Sequence, residues 1–371
     1  MAQHETLTDT RPRTAGAPPS LAWVSWLRVV AIAGVVCIHT AGLTAIAPGA
    51  RGTLHGRLAI ALDFGARWAV PVFVMLSGAL LLDPARYRGG REFLRRRAVR
   101  LLPAVLFWNL VYLGVRRWVL DQPYGWRDVV EWSLTGRVYT ALYFFWIVLG
   151  LALVTPVLMP WVASVDRRTV RWVGLAAALP VMLTVATQPL RGGGPKWVET
   201  PWTWWIGYLG CYLLGWGLRP VTLGARGTAA AVAGVLGLTS LLAWQWRNPH
   251  EPAATLERYL PAESYYTPAV LACAVLVFLV ASSLGRRRGR AAAADGGDRA
   301  ARLGRRLGDA TLGVFAAHLL VLQWVLTWPV LGGGDAATGV PQLLGRCAAV
   351  LVTTYALVLV AGRVPVLRKV V

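Results

Sequence analysis

One apolar stretch of this chain carries an arginine and a histidine eleven residues apart. Leu21 to Ile46 reads LAWVSWLRVVAIAGVVCIHTAGLTAI, and apart from the Cys37 thiol its only ionisable side chains are Arg28 and His39. About 20 apolar residues cross a bilayer, so both groups are expected at membrane depth, where an ionisable side chain is expensive and reads as functional by default. Eleven helical steps return to within roughly 20° of the starting direction and rise about 16 Å. One helix face therefore presents a fixed cation near one leaflet and a group that can act as base or acid near neutral pH closer to the other.

A second pair follows in ALDFGARWAVPVFVMLSGALLL, where Asp63 and Arg67 stand four residues apart. They can neutralise each other within a helix. The alternative reading places them beside a water-accessible cavity near His39. Pro71 weakens this helix, and Ser77 and Gly78 are small enough for close helix approach. Next comes REFLRRRAVRLLP, Arg91 to Pro103, whose Arg96, Arg97 and Arg100 gather at the start of a span. Guanidinium groups hold phosphate in a bidentate grip, so the run suits an anionic cytosolic cofactor. Ordinary positive-inside anchoring explains it as well.

The elements that must position these groups are membrane helices. Of 371 residues 56% are hydrophobic, the mean hydropathy is +0.52 and there are 19 Trp, which excludes an ordinary soluble domain. Apolar runs of spanning length occur at 21–46, 60–82, 99–115, 140–163, 170–187, 202–218, 228–246, 265–284, 309–330 and 341–362. The fold expected is all-α and polytopic, with about ten transmembrane helices and both termini cytoplasmic. Of the 38 Lys and Arg, 24 fall in tails and loops on the side of the N-terminus and 10 on the opposite side, which sets the N-terminus inside. That distribution also rules against nucleic acid as the partner of the +21 charge, because the cations lie in short loops and not on one soluble face. Anionic lipid contact accounts for most of them.

Residues 1–20 are polar and read as a disordered cytoplasmic tail, and 21–371 as one transmembrane domain. The arginine-rich segment 285–308 reads as a flexible basic cytoplasmic loop. Cys37, Cys211, Cys273 and Cys347 are dispersed, with neither disulfide nor zinc spacing, and no metal is expected. Trp197, Trp202, Trp204 and Trp205 read as an interfacial belt, with a sugar-stacking platform as the alternative. His318, near mid-bilayer in its span, reads as a neutral packing histidine.

In their order, these segments resemble the acyltransferase-3 family of membrane O-acyltransferases, particularly its surface-polysaccharide O-acetyltransferase branch. The resemblance rests on Arg28 and His39 in the first span, on RWAVPVFVMLSG from Arg67 to Gly78, and on RRRAVRLLP from Arg95 to Pro103. Weaker matches are YFFWIVLGLALVTPVL, Tyr143 to Leu158, and LGDATLGVFAAHLLV, Leu307 to Val321. The family implies transfer of an acyl group, usually acetyl from acetyl-CoA, to a hydroxyl of a carbohydrate or glycan acceptor in the plasma membrane. On that reading His39 deprotonates the acceptor or carries the acyl group transiently. Arg28 stabilises the thioester oxygen or holds the pantetheine-phosphate end of the donor. Arg96, Arg97 and Arg100 hold CoA phosphates. Asp63 orients His39 if Arg67 leaves it free, and Arg67, Ser77 and His318 support the substrate.

This sequence departs from the family in its fourth span, where a frequent His-Leu-Trp-Phe is replaced by Ala141-Leu142-Tyr143-Phe144. Some relatives also carry an extracytoplasmic hydrolase-like domain after the last span. Here the sequence ends at Val371, so acceptor chemistry is expected from the membrane domain or a partner. The competing class is a secondary transporter or flippase of a polar substrate. It fits less well, because residues 21–163 and 202–363 show no self-similarity. The oligomeric state and the acceptor's identity are not legible in the sequence.

Overall fold

The computed structural model describes residues 22–191, 200–294, 299–331 and 333–371, and every regular element among them is helical. The tail 1–20, Trp197 and positions 295–298 of the basic segment lie outside the described residues. Among the described residues, eight helices are long and apolar enough to cross a membrane, nine if a bent pair is counted as one span. The remaining expected span, 202–218, forms only the shorter apolar helix Ile206–Leu218.

Helix α1 (Ala22–Ala45) stands at the centre. Leu27, Ala31, Ile32, Val35 and Val36 are buried along it, and it packs on four other spans: the one made of α2 (Leu54–Gly65) and α3 (Ala69–Leu81), α11 (Pro268–Ala294), the bent span ending in α13 (Thr311–Val325), and α14 (Val340–Ala361). Burial over that much of its surface is what holds a helix carrying ionisable groups in the bundle rather than in lipid. The most lipid-exposed helices are α7 (Arg167–Ala186) and α9 (Ala225–Arg247), which bury the smallest shares of their apolar windows. Leu175, Leu179, Val232 and Leu236 are exposed along them.

The second expected span is broken. Helix α2 ends at Gly65 and α3 begins at Ala69, with Pro71 in the first turn of α3. A proline there has no N–H to return to the carbonyl four residues back, that of Arg67, and its ring crowds that carbonyl. The chain turns at 66–68 instead, and Pro71 becomes an acceptable first-turn residue.

Helices α4 (Gly90–Trp118), α6 (Tyr143–Ser164) and α8 (Leu209–Leu218) complete the main core with α1, α3 and α13. The approach of α3 to α8 depends on two glycines. A Cβ at Gly78 would stand 1.8 Å from the Tyr212 carbonyl oxygen, and one at Gly215 would stand 1.9 Å from that of Met75. Small residues admit this backbone contact in membranes. Gly78→Val is therefore expected to cost at least about 1–3 kcal/mol by overpacking, read as a lowered melting temperature in detergent. Gly237→Ala, where an added Cβ meets nothing within 4 Å, should leave melting unchanged.

The basic segment 285–308, expected as a loop, is helical at its described positions. Helix α11 continues to Ala294, and α12 covers Arg299–Asp309 before a 59° bend into α13. The reason is amphipathicity around small residues. Gly304 and Gly308 are buried against Trp26 and Ser25 of α1, while Arg302, Arg305 and Arg306 stay exposed. The contact needs glycine: a Cβ at Gly308 would lie 2.9 Å from that of Ser25.

Polar contacts tie the connections into two groups. On the side where α1 begins, Arg219 Nη1 donates to Asp83 Oδ2 at 2.9 Å, and Arg286 Nη2 donates to the Arg219 carbonyl at 2.7 Å. At the other end of α1, the Ala337 amide donates to Thr44 Oγ1 at 2.9 Å. There Arg346, 1% exposed, donates to the carbonyls of Leu331, Gly333 and Asp335. These two groups are the loop sets that the span order assigns to opposite faces. They are called the near and far sides below, the near side being where α1 begins.

Candidate active site

Two cavities enter the bundle from opposite sides. The near-side cavity, about 440 Å³, is lined by Arg28 from α1, by Phe73 and Ser77 from α3, and by Arg96, Arg97 and Arg100 from α4. Helical spacing on α4 turns Arg96, Arg97 and Arg100 into one patch, and the buried flank of α12 against α1 brings Asp309 to the same wall. These cations are not equivalent. Arg96 is held by Glu92, which also pairs with Arg95 at 3.1 Å, whereas Arg28, Arg97 and Arg100 form no salt bridge among the described residues. Ser77 donates its hydroxyl hydrogen to the Phe73 carbonyl at 3.0 Å, so in this arrangement its oxygen lines the cavity as an acceptor.

The far-side cavity, about 720 Å³, holds His39 from α1 and Arg67 from the α2–α3 break. Aromatic side chains form much of its wall: Tyr143, Trp204, Tyr208, Tyr265 and Tyr266. Tyr143 and Trp204 meet edge to face with centroids 5.9 Å apart. Arg28 and His39 thus open into different cavities, the division their separation along α1 implies.

Asp63 is not free for His39. Both its carboxylate oxygens accept from Arg67 Nη2, at 3.1 and 3.3 Å, and no hydrogen bond joins Asp63 to His39. Four-residue spacing at the end of α2 makes that pairing local and inexpensive. Arg67 is held further by the Glu263 carbonyl and lies over the rings of Phe64, 4.6 Å, and Tyr265, 5.5 Å. Its role in the far cavity is that of a clamped cation, with Asp63 as its counter-ion.

His318, read from the sequence as a packing residue, is fully buried but lies beside His39, with ring centroids 5.1 Å apart. Its Nδ1 sits 2.6 Å from the Phe315 carbonyl oxygen. A carbonyl only accepts, so Nδ1 carries the proton, and in neutral His318 the lone pair belongs to Nε2. That Nε2 is buried with no hydrogen-bond partner among the described residues. No sequence pattern pairs positions on α1 and α13, so the adjacency exists only in the folded bundle.

The tryptophan group divides. Trp202 is 60% exposed, as a belt residue would be. Trp204 lines the far cavity and Trp205 packs on Gly150 of α6. Residues overlooked in the sequence include Phe73, Phe144 and Phe315 at the deep end of the near cavity. The hint was their place in the segments that carry the resemblance: Phe73 in RWAVPVFVMLSG, Phe144 in YFFW and Phe315 in LGVFAAH.

A family model described as an acyltransferase domain matches residues 21–362. The chain belongs to the acyltransferase-3 family. No curated protein and no solved structure matches it. Membership makes this an integral membrane acyltransferase, and the matched range spans both cavities of the acyltransferase-3 domain. The helix that supplies Arg28 and His39, the broken α2–α3 span and the basic α4 all fall within it.

Proposed function

We propose that this protein is an O-acyltransferase of the plasma membrane, moving an acyl group, acetyl foremost, from cytosolic acyl-CoA to a hydroxyl of a sugar or glycan acceptor. The observation that carries the reading is the pair of cavities entering from opposite sides, one edged by Arg28, Arg97 and Arg100, which form no salt bridge among the described residues, and the other containing His39. CoA is a polyanion with a narrow pantetheine arm. Arg97 and Arg100 offer bidentate contacts to its phosphates, and Arg28 stands deeper, where the thioester oxygen gains negative charge during attack.

The far cavity suits a carbohydrate. Aromatic walls offer faces for sugar rings, and convergent polar groups fix orientation. His39 takes the proton from the acceptor hydroxyl as its oxygen bonds to the acyl carbon. The carbon–sulfur bond then breaks, and CoA leaves as the thiol carrying that proton. Ala141 stands where the family pattern often has a histidine, and Tyr143, at the pattern's tryptophan position, lines the far cavity.

The test is single-turnover consumption of radiolabelled acetyl-CoA by purified protein in detergent, with label followed to added glycan or to the protein itself. Saturable binding and label transfer are expected. A wild-type protein that never binds acetyl-CoA would sink the proposal and leave polar-substrate transport as the reading to pursue.

A further inference from the structure

Among the described residues, Phe315 is the one that lines both cavities. It sits on α13 at 5% exposure and closes the near cavity's deep end together with Phe144, whose ring centroid is 4.9 Å away, and Phe73, 6.0 Å beyond Phe144. Phe145 braces it edge to face at 6.2 Å, and the His318 ring lies 5.8 Å off on the other flank. The same residue's carbonyl holds His318 Nδ1. An acyl group entering from the guanidinium side therefore ends against three apolar rings, and its transfer to an acceptor beside His39 requires the Phe315 ring to turn aside.

We propose that Phe315, backed by Phe144, is the specificity-determining partition of this enzyme: it limits the donor to a short acyl chain and separates the thioester from far-side water. The inference rests on the acyl-CoA reading above. Three features support it. The deep wall carries no polar group from these rings, so it favours the hydrocarbon end of the donor over the CoA arm. Packed aromatic rings yield little volume without a rotamer change, so each added methylene is penalised. Water is kept from the bond that must break, and the alternative reaction, attack by water oxygen on the acyl carbon with release of carboxylic acid and CoA thiol, is suppressed until the acceptor is seated.

The experiment compares wild type, Phe315→Ala and Phe315→Leu as detergent-purified full-length protein, with acetyl-CoA and hexanoyl-CoA as probes and free CoA thiol as the readout. Without acceptor, Phe315→Ala is expected to raise thiol release at least about 10-fold. The hexanoyl-to-acetyl ratio of kcat/KM should rise by a similar factor, in line with roughly 10–200-fold discrimination per methylene in an apolar pocket. Phe315→Leu, which keeps an apolar side chain, should move both quantities the same way by less, and guards against loss of fold in the alanine variant. Phe144→Ala should shift the chain-length ratio with little effect on hydrolysis, because Phe144 borders only the near cavity. If both Phe315 variants retain wild-type melting and an unchanged ratio while wild type consumes acetyl-CoA, the partition is refuted and the donor assignment stands. If wild type neither binds either probe nor consumes it with added glycan, the donor assignment itself has failed and the partition falls with it.

Discussion

His39→Ala is expected to lower acyl transfer by about 10²–10⁴-fold, the range that removal of a positioned proton-transfer group produces, while acetyl-CoA binding persists. The separation of effects follows from geometry. His39 lines only the far cavity, and the guanidinium groups assigned to the donor line only the near one. Loss at the imidazole should therefore appear in kcat and not in donor affinity. Label trapped on wild-type protein in the absence of acceptor, and absent from His39→Ala, would make the histidine an acyl carrier. No trapped label with lost turnover would make it a base. Wild-type turnover in His39→Ala would remove it from the chemistry. His318→Asn offers a contrast: the neighbouring ring is fixed by the Phe315 carbonyl, so its loss should reduce kcat less than loss of His39 itself.

Arg97→Ala combined with Arg100→Ala is expected to raise KM for acetyl-CoA by at least about 10–100-fold per lost phosphate contact, since a charge-assisted hydrogen bond contributes roughly 1.5–3 kcal/mol. The effect on kcat should be small, because these groups meet the donor far from the reacting carbon. Neither residue forms a salt bridge among the described residues, so their donors are available. Arg96→Ala should matter less, because Glu92 already engages it. Lysine replacements should restore part of the affinity through charge without the bidentate grip. Wild-type KM falling as salt is lowered, with that dependence weakened in the double variant, would identify the contact as ionic. A double variant with wild-type KM would reduce the basic run of α4 to membrane anchoring.

What the sequence determined by itself is what helical periodicity and solvent preference make local. Nine of the ten apolar runs correspond to helices or a bent pair able to cross a membrane, and 202–218 forms only a shorter apolar helix. The Arg28–His39 spacing put a cation and an imidazole at different depths on one helix, and the basic run of α4 placed three guanidinium groups within about a turn. Those relations hold however the helices pack. Where the sequence left alternatives, the missing information was between helices. Asp63 had two possible partners, and the break at 66–68 settled it on Arg67. The segment 285–308 reads as a loop because its arginines mask Gly304 and Gly308, which seat α12 against Trp26 and Ser25 of α1. His318 beside His39, and Phe315 between the two cavities, depend on how α13 lies against α1 and α6. That arrangement is built from ring packing and backbone contacts that leave no period in the chain, so only the tertiary structure decided it.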